Sequence, residues 1–306
     1  MIRFLKHTEI DKNRWDRCID QADEAIVYAN SWYLDIVSPA WNALVEDDYK
    51  AVFPLTQRKK FGFHYLYQPP FTQQLGLFRS NAGAGHILSD FLEKIPIDYK
   101  LIEIQLNSVN TPLAIPSTFR QIKKITHHLN LNSKTELLEN NFSENTRRSI
   151  KRFNKSEWKI KHEGDPKKLV ELFRNNRGKG ISQLKDSDYA IFLSICSEAK
   201  NRNLIYCLVA TDPMDNLQAG VIFIKTHAGH ILLFSALSVA GKENGAMAAL
   251  IGEFIRTHAD KNGILDFEGS MDPGIARFYK SFGSHEIVYL QIINNRLPIF
   301  LRWLKN

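Results

Sequence analysis

The sequence repeats itself once, and this repeat constrains the fold more than any other feature. Residues 79–108 lie over residues 242–271 without a gap, at an offset of 163 positions. Both copies place small residues before a helix-period segment and an alternating strand, and Glu103 falls opposite Asp266. The sequence therefore predicts an α/β protein with mixed sheets, built from two similar modules with a cleft between them.

Length and composition fit this division. A chain of 306 residues with 44% hydrophobic residues can bury two ordinary cores, and we place the modules at 1–132 and 133–306. The three cysteines have no CxxC spacing, which favours a reducing compartment. The N-terminus lacks an apolar leader, and the longest apolar run, 231–240, is too short to cross a bilayer. We expect a cytoplasmic protein without integral membrane association.

Two acidic residues stand at the end of the strand in the second copy. Asp266 and Glu268 are two apart on a predicted strand, 264–268, so both carboxylates are expected on one face of the sheet. Either could accept the proton of an amine. An acid at a strand end is as often a helix cap or an ion-pair partner, and we assign a structural or positioning role to one of the two. The histidine pairs have no ligand-spaced cysteine or carboxylate, so no metal site is predicted.

A small-residue loop opens the helix of the second copy. Its Lys242, Asn244, Gly245 and Ala246 are the candidate seat for the phosphates of a donor. The first turn of a helix has N–H groups without internal acceptors and carries the positive end of the helix dipole. The alternative interpretation is a helix start whose small residues allow close packing.

A basic segment carries most of the net charge of +7. Between residues 143 and 168, nine Lys and Arg stand against four acids. Arg147, Lys151 and Lys155 recur every four residues on a predicted helix, so they line one of its faces. Arg147 and Arg148 could bind phosphate or carboxylate groups bidentately. With Lys151 they are the candidate clamp for an anionic substrate or for tRNA, and a solvated basic face is the alternative.

The first module offers a polar and aromatic cluster beside a proline-containing loop. Its Tyr67, Gln68 and Gln73 are candidates for binding an acceptor, since clefts between modules are preferred ligand sites. Aromatic packing under the loop is the alternative explanation.

Three short motifs resemble a known family. The sequences FYKSFG at 278–283, LDFEGS at 265–270 and NTRRSIK at 145–151 resemble the closing helix, the preceding strand and the opening of the second module in FemAB/FemX-like acyltransferases of the GNAT superfamily. The chain has no helical-hairpin insertion of the FemA type, so the compact FemX-like form fits better. At the loop, Met247 stands where GNAT coenzyme A loops usually have Gly or Ala.

The resemblance implies transfer of an acyl or aminoacyl group to an amine. The donor would be acyl-CoA or aminoacyl-tRNA, a co-substrate and not a permanently bound cofactor, and the acceptor an anionic small molecule or a molecule like a cell-wall (peptidoglycan) precursor. Tyr279 matches the tyrosine that protonates the leaving group, and Lys280 matches a lysine that stabilises charge in the transition state. A packed tyrosine and a solvated lysine are the structural alternatives. The first copy has Pro116 and Ser117 at these positions, so we expect that its chemistry is lost.

Two other hypotheses use the same features. The chain could be a non-catalytic protein of this fold that binds nucleic acid or an anionic surface through 147–155 and the basic tail. It could also be a lipid-directed aminoacyltransferase whose residues 299–305 form an interfacial foot.

Overall fold

A computed structural model describes residues 1–23, 25–60, 62–80, 87–111, 113–177, 184–269 and 271–298. The chain forms two compact units: unit 1 comprises Met1–Lys124 with Val288–Asn306, and unit 2 comprises Ile125–Ile287. The two boundaries are 163 residues apart, the offset of the sequence repeat. These units differ from the predicted modules because the last strand of each copy extends into the other unit. The predicted foot at 299–305 lies outside the described residues.

Unit 1 combines a small antiparallel sheet with a second group of strands. Strands β1, β2, β3 and β6 pair in that order, β4 and β5 form a hairpin, and β5 runs parallel to β7. The elements are β1 Ile2–Leu5, α1 Lys12–Asp20, α2 Ser31–Val37, β2 Asn42–Glu46, β3 Ala51–Leu55, β4 Gln57–Lys60, β5 Phe63–Leu66, β6 Phe78–Arg79, α3 Leu88–Glu93 and β7 Tyr99–Gln105.

Unit 2 is a mixed sheet with helices. Its strands are ordered β9, β10, β11, β12, β13 and β8, antiparallel except for the parallel pair β12 and β13. The remaining elements of the chain are β8 Arg120–Asn130, α4 Thr135–Asn140, α5 Glu144–Asn154, β9 Lys159–Lys161, α6 Pro166–Asn175, α7 Asp186–Asn201, β10 Ile205–Thr211, β11 Leu217–Lys225, β12 Gly229–Leu237, α8 Val239–Asn244, α9 Ala246–His258, β13 Ile264–Asp266, α10 Pro273–Lys280 and β14 His285–Asn295.

The two copies exchange their last strands. In unit 2, β8 pairs with β13, with Leu129 opposite Leu265, and in unit 1, β14 pairs with β7, with Ile292 opposite Ile104. Each exchanged strand buries apolar side chains in the core that it joins, Leu129 in unit 2 and Ile292 in unit 1. Residues distant in sequence therefore meet within one core.

The capping residues explain where the helices near the site begin. Ser143 caps α5 by accepting a hydrogen bond from the Thr146 N–H at 3.2 Å, and Asp272 caps α10 by accepting from Gly274 N–H at 2.7 Å. Pro273 occupies the first turn of α10, where its missing N–H costs nothing. The equivalent segment of the first copy, residues 110–117, differs: Asn110 ends a short 3-10 helix, and the described residues 113–117 contain no helix.

One sequence expectation about the acidic strand is wrong. The strand predicted at 264–268 ends at Asp266, and Glu268 adopts a left-handed backbone with φ of +51°. The extended geometry that would place both carboxylates on one sheet face therefore stops before Glu268. Among the described residues, no helix is both long and apolar enough to cross a membrane.

Candidate functional site

A cavity of about 680 Å³ opens in unit 2 beside the second half of β12. This part of β12 lies beyond its pairing with β13, which runs from Gly229 to Ile231. The cavity walls are α6, the second half of β12, the α8–α9 junction and α10. Phe173, Leu232 and Ile251 are buried apolar lining residues, whereas Arg177 and Lys242 contribute exposed positive charge. This size and mixture of surfaces are typical of a small-molecule site.

The α8–α9 junction contains the predicted phosphate seat. Lys242 and Gly245 line the cavity. Gly245 has φ of +81°, and a Cβ placed on it would approach the Ser149 carbonyl oxygen to 2.6 Å, so glycine is required both by its backbone and by the packing of α5. Asn244 donates to Ser156 Oγ at 3.1 Å, and Ala246 is fully buried. The close-packing interpretation therefore applies to Asn244 and Ala246, while Lys242 and Gly245 are accessible from the cavity.

Tyr279 lines the same cavity from α10. Its ring stacks on Phe267, with centroids 4.9 Å apart. No hydrogen bond from its hydroxyl is found among the described residues. Burial, and secondarily the charge of Glu268, raise the pKa of Tyr279 far above that of a free phenol. The phenol therefore keeps its proton at neutral pH and can donate it.

Glu268 is a half-buried residue close to Tyr279. Its Oε1 atom is inaccessible and has no hydrogen-bond partner among the described residues. Burial raises the pKa of Glu268 well above its ordinary value, because no positive group compensates the lost hydration. The adjoining Gly269 allows this loop to approach β8, since a Cβ there would lie 2.3 Å from the Thr126 Cα. Once ionised, such a carboxyl is a stronger base than an exposed glutamate.

Asp266 is held by its neighbours. Its Oδ1 accepts hydrogen bonds from the Thr126 hydroxyl and from the Glu268 N–H, and its Oδ2 lies 3.4 Å from His128 Nε2. In unit 1 the equivalent acid, Glu103, accepts a hydrogen bond from Gln291 at 2.7 Å. Since both copies make this contact, Asp266 is better explained as a positioning residue than as a base.

His127 is a residue that the sequence interpretation missed as part of the site. It lies on the exchanged strand β8, is fully buried, and neither ring nitrogen has a hydrogen-bond partner among the described residues. Its ring centroid is 6.1 Å from that of Tyr279. Burial lowers the pKa of His127, although Glu286 opposes this shift. Only the strand exchange brings His127 to Tyr279, and no local sequence signal reports it.

Lys280 points to a second cavity, of about 510 Å³, that lies between α5 and α10. Its ammonium forms an ion pair with Glu286 Oε1 at 2.7 Å. Lys280 and Tyr279 are consecutive on α10, yet Tyr279 lines the first cavity and Lys280 the second. The four residues Ser149, Ala248, Gly274 and Phe278 line both cavities.

The predicted basic clamp faces elsewhere. Arg147 and Lys151 line a third, shallower cavity of about 320 Å³, together with Arg256. Arg148 forms an exposed ion pair with Glu144 at 3.4 Å. None of the three predicted residues lines the cavity of Tyr279, because α5 presents Ser149 to it.

The predicted acceptor cluster of the first module is engaged locally. Tyr67 donates to the Val37 carbonyl at 3.1 Å, and Gln68 bonds both to the Thr72 carbonyl and to the Gln105 N–H. Gln73 accepts a hydrogen bond from the neighbouring Gln74 at 2.9 Å. These contacts stabilise the loop of unit 1, and an acceptor-binding role for the cluster stays a prediction. Within the described ranges, no group of three His, Cys, Asp or Glu could hold a metal ion.

Comparison with known proteins identifies the fold. No protein-family model matches the sequence, and neither does any curated protein. Among solved structures, FemX is 11% identical, with a TM-score of 0.65 over 97% of this chain and 98% of that one. A tandem GNAT protein from the clavulanic acid biosynthesis pathway is 9% identical, with a TM-score of 0.58 over 97% and 99%.

A third structure is the C-terminal domain of a protein from Agrobacterium fabrum that is described as a lysylphosphatidylglycerol synthetase. It is 9% identical, with a TM-score of 0.56 over 93% of this chain and 92% of that one. The chain therefore has the FemX-like tandem GNAT fold. The predicted fold class and the FemX-like resemblance are confirmed at the level of the fold.

Proposed function

We propose that the protein is an acyltransferase that moves an acyl or aminoacyl group from an activated donor to an amine, with its reactive centre in unit 2. The observation that carries this proposal is that one cavity is lined both by the α8–α9 junction and by the Tyr279 side chain. A donor with phosphates at the junction would then place its reactive carbonyl within the same cavity as a protonated phenol.

The donor is proposed to bind between β12, α9 and α10. The Lys242 ammonium lines the cavity and would attract phosphate oxygens, and the apolar walls suit the uncharged part of the donor. Met247 lines the cavity together with Gly245. Acyl-CoA and aminoacyl-tRNA are both candidates, because each molecule contains phosphate groups as well as an activated thioester or ester.

Tyr279 and Glu268 are proposed to handle the two protons of the reaction. The amine nitrogen bonds to the acyl carbon, and the carbon–sulfur or carbon–oxygen bond of the donor breaks. The Tyr279 phenol gives its proton to the departing thiolate or alkoxide, and the Glu268 carboxylate takes the proton that the amine loses. The raised pKa of Tyr279 keeps a proton on the phenol for the leaving group, and the raised pKa of Glu268 makes its ionised form a stronger base.

The test is a transfer assay on the full chain with both donor classes. Acetyl-CoA, longer acyl-CoA thioesters and aminoacyl-tRNA are each incubated with a panel of amines that includes amino acids and short peptides. Amide products are detected by mass spectrometry, and thiol release is followed for the thioesters. We expect an amide product with one donor class. If neither class binds or transfers, the enzyme proposal is wrong and a binding protein of this fold is favoured.

A further inference from the structure

The second cavity has the features of a separate binding site. It has a volume of about 510 Å³, and its lining includes the beginning of α5 and the end of α10. Its residues Ser149 and Phe278 also line the Tyr279 cavity. One wall is therefore common to the two cavities, and α10 supplies polar side chains to both.

A chain of hydroxyl groups fixes the geometry of this cavity. Ser143 Oγ donates to Thr146 Oγ1 at 3.1 Å, and Thr146 Oγ1 donates to Ser281 Oγ at 2.7 Å. The Ser143 N–H also donates to the Ser281 carbonyl at 2.8 Å. Because Thr146 is only 3% exposed, these bonds are shielded from water and join α5 rigidly to α10.

The charge of the cavity favours an anion. Arg277 lines it, is exposed, and has no ion-pair partner among the described residues. Lys280 adds a second positive charge that Glu286 balances. None of the described residues that line the cavity is acidic, and Asn145 and Ser149 supply neutral hydrogen-bonding groups. A free guanidinium beside hydroxyl and amide groups is the arrangement that recognises carboxylate or phosphate.

We propose that this second cavity binds an anionic group, a carboxylate or a phosphate, of the amine acceptor, with Arg277 as its charged ligand. The assignment to the acceptor rests on the proposed function, since the donor is placed in the neighbouring cavity. It replaces the clamp expected at Arg147 and Arg148, which do not line either of these two cavities.

Anion binding is tested directly by isothermal titration calorimetry of the full chain with inorganic phosphate and with succinate. Arg277→Gln removes the guanidinium and is expected to weaken the affinity at least tenfold, the effect of one charge-assisted bidentate contact. The control, Arg202→Gln, removes the same charge from the end of α7, where Arg202 pairs with Glu198 at 2.8 Å. Its affinity is expected to match that of the wild type.

The two anions distinguish the group that is recognised. Binding of succinate alone assigns a carboxylate, binding of phosphate alone assigns a phosphate, and binding of both assigns a general anion site, provided that Arg277→Gln weakens each affinity at least tenfold. Absence of binding in the wild type, equal affinity in the wild type and Arg277→Gln, or equal weakening in the control would overturn the proposal.

A kinetic test separates this inference from the proposed function. With any donor that supports turnover, Arg277→Gln should raise KM tenfold or more for an acceptor with an anionic group, and change kcat less than threefold. The same acceptor with that group converted to an uncharged amide should show no difference between wild type and variant. If no donor gives product, the proposed function fails while calorimetry still decides the anion site.

Discussion

The two copies of the repeat share one contact, between the central strand and the exchanged strand, but they differ at the positions proposed to be reactive. In unit 2, Asp266 approaches His128 on the exchanged strand, and in unit 1, Glu103 accepts a hydrogen bond from Gln291 on the other exchanged strand. All four positions correspond under the offset of 163 residues. The contact between the central strand and the exchanged strand therefore belongs to the framework of the fold and not to the chemistry of one unit.

The reactive positions show the opposite pattern. Unit 2 has acid–base side chains at four positions where unit 1 has none. They are Tyr279 against Pro116, Lys280 against Ser117, Glu268 against Gln105 and, on the exchanged strands, His127 against Leu290. The Glu268 Oε1 atom and both ring nitrogens of His127 are also buried and have no hydrogen-bond partner among the described residues. Buried polar atoms of this kind cost stability, and the first copy avoids this cost at both equivalent positions, with Gln105 and Leu290. Such a difference is typical of a functional site.

The largest expected effect is that of Tyr279→Phe, which removes the one hydroxyl that lines the cavity from α10. Loss of a general acid should lower kcat about 1000-fold while donor binding stays within a few fold. The measurement is steady-state kinetics with the active donor. Tyr206→Phe, an exposed position on β10, is the control and should keep full activity. An unchanged kcat for Tyr279→Phe would show that Tyr279 is not the general acid.

Glu268→Gln introduces glutamine, the residue that the first copy has at the equivalent position 105. We expect about a 100-fold loss of kcat, because the amide cannot accept the proton of the amine. The free energy of unfolding of the variant should increase although its activity falls. The raised pKa of Glu268 means that the folded protein binds more protons than the unfolded chain above pH 4.5, so wild-type stability falls as pH rises through this range.

This dependence should be absent in Glu268→Gln. Urea unfolding at pH 5 and pH 8 measures it, and the variant is expected to be more stable than the wild type at pH 8 by about 1–2 kcal/mol. Equal free energies of unfolding at both values of pH would show that Glu268 is hydrated in the folded protein.

Gly245→Ala tests the packing of the α8–α9 junction. The left-handed φ and the 2.6 Å approach to the Ser149 carbonyl oxygen should together cost about 2 kcal/mol in the free energy of unfolding. Gly62 has nearly the same φ, +82°, and nothing within 4 Å of a Cβ. Gly62→Ala therefore isolates the backbone cost and should destabilise by about 1 kcal/mol. Equal losses in the two variants would mean that α5 moves away without cost.

His127→Leu is expected to have the smallest effect. It introduces leucine, the residue found at the equivalent position 290 of β14. Removing two unpaired ring nitrogens should stabilise the fold by about 1 kcal/mol at pH 7. Since the pKa of His127 is lowered in the folded state, wild-type stability should fall as pH decreases below 6.5, and the variant should lose part of this dependence. Thermal unfolding at pH 5 and pH 7 measures the stability and its pH dependence. A variant less stable than the wild type would show that His127 makes a stabilising hydrogen bond.

Much of the framework could be predicted from the sequence, because periodicity and capping are local. The alternating pattern indicated β7, the basic segment with Ser143 as its cap indicated α5, and the repeat indicated that α9 and β13 have counterparts in the first copy. The exchange of β8 and β14 depends on pairing between residues more than 130 positions apart, which no local pattern records.

The site was predictable only in part for the same reason. Tyr279 and Lys280 stand in a recognisable motif, but the sequence could not show that consecutive residues of α10 line different cavities. Regular spacing correctly gave Arg147 and Lys151 a common face, although it could not say which cavity that face borders. Arg277 and His127 were missed because their importance comes from tertiary neighbours alone.

Hydrogen–deuterium exchange of the full chain with its donor tests the central claim most directly, because it locates binding in one unit or the other. Acetyl-CoA and aminoacyl-tRNA are added in turn at saturating concentration. We predict protection of residues 232–251 and 272–279, around the Tyr279 cavity, with little change in the equivalent residues 69–80 and 113–116 of unit 1. Protection of 69–80 and 113–116 instead, or a donor that is turned over without protecting the Tyr279 cavity, would contradict this prediction.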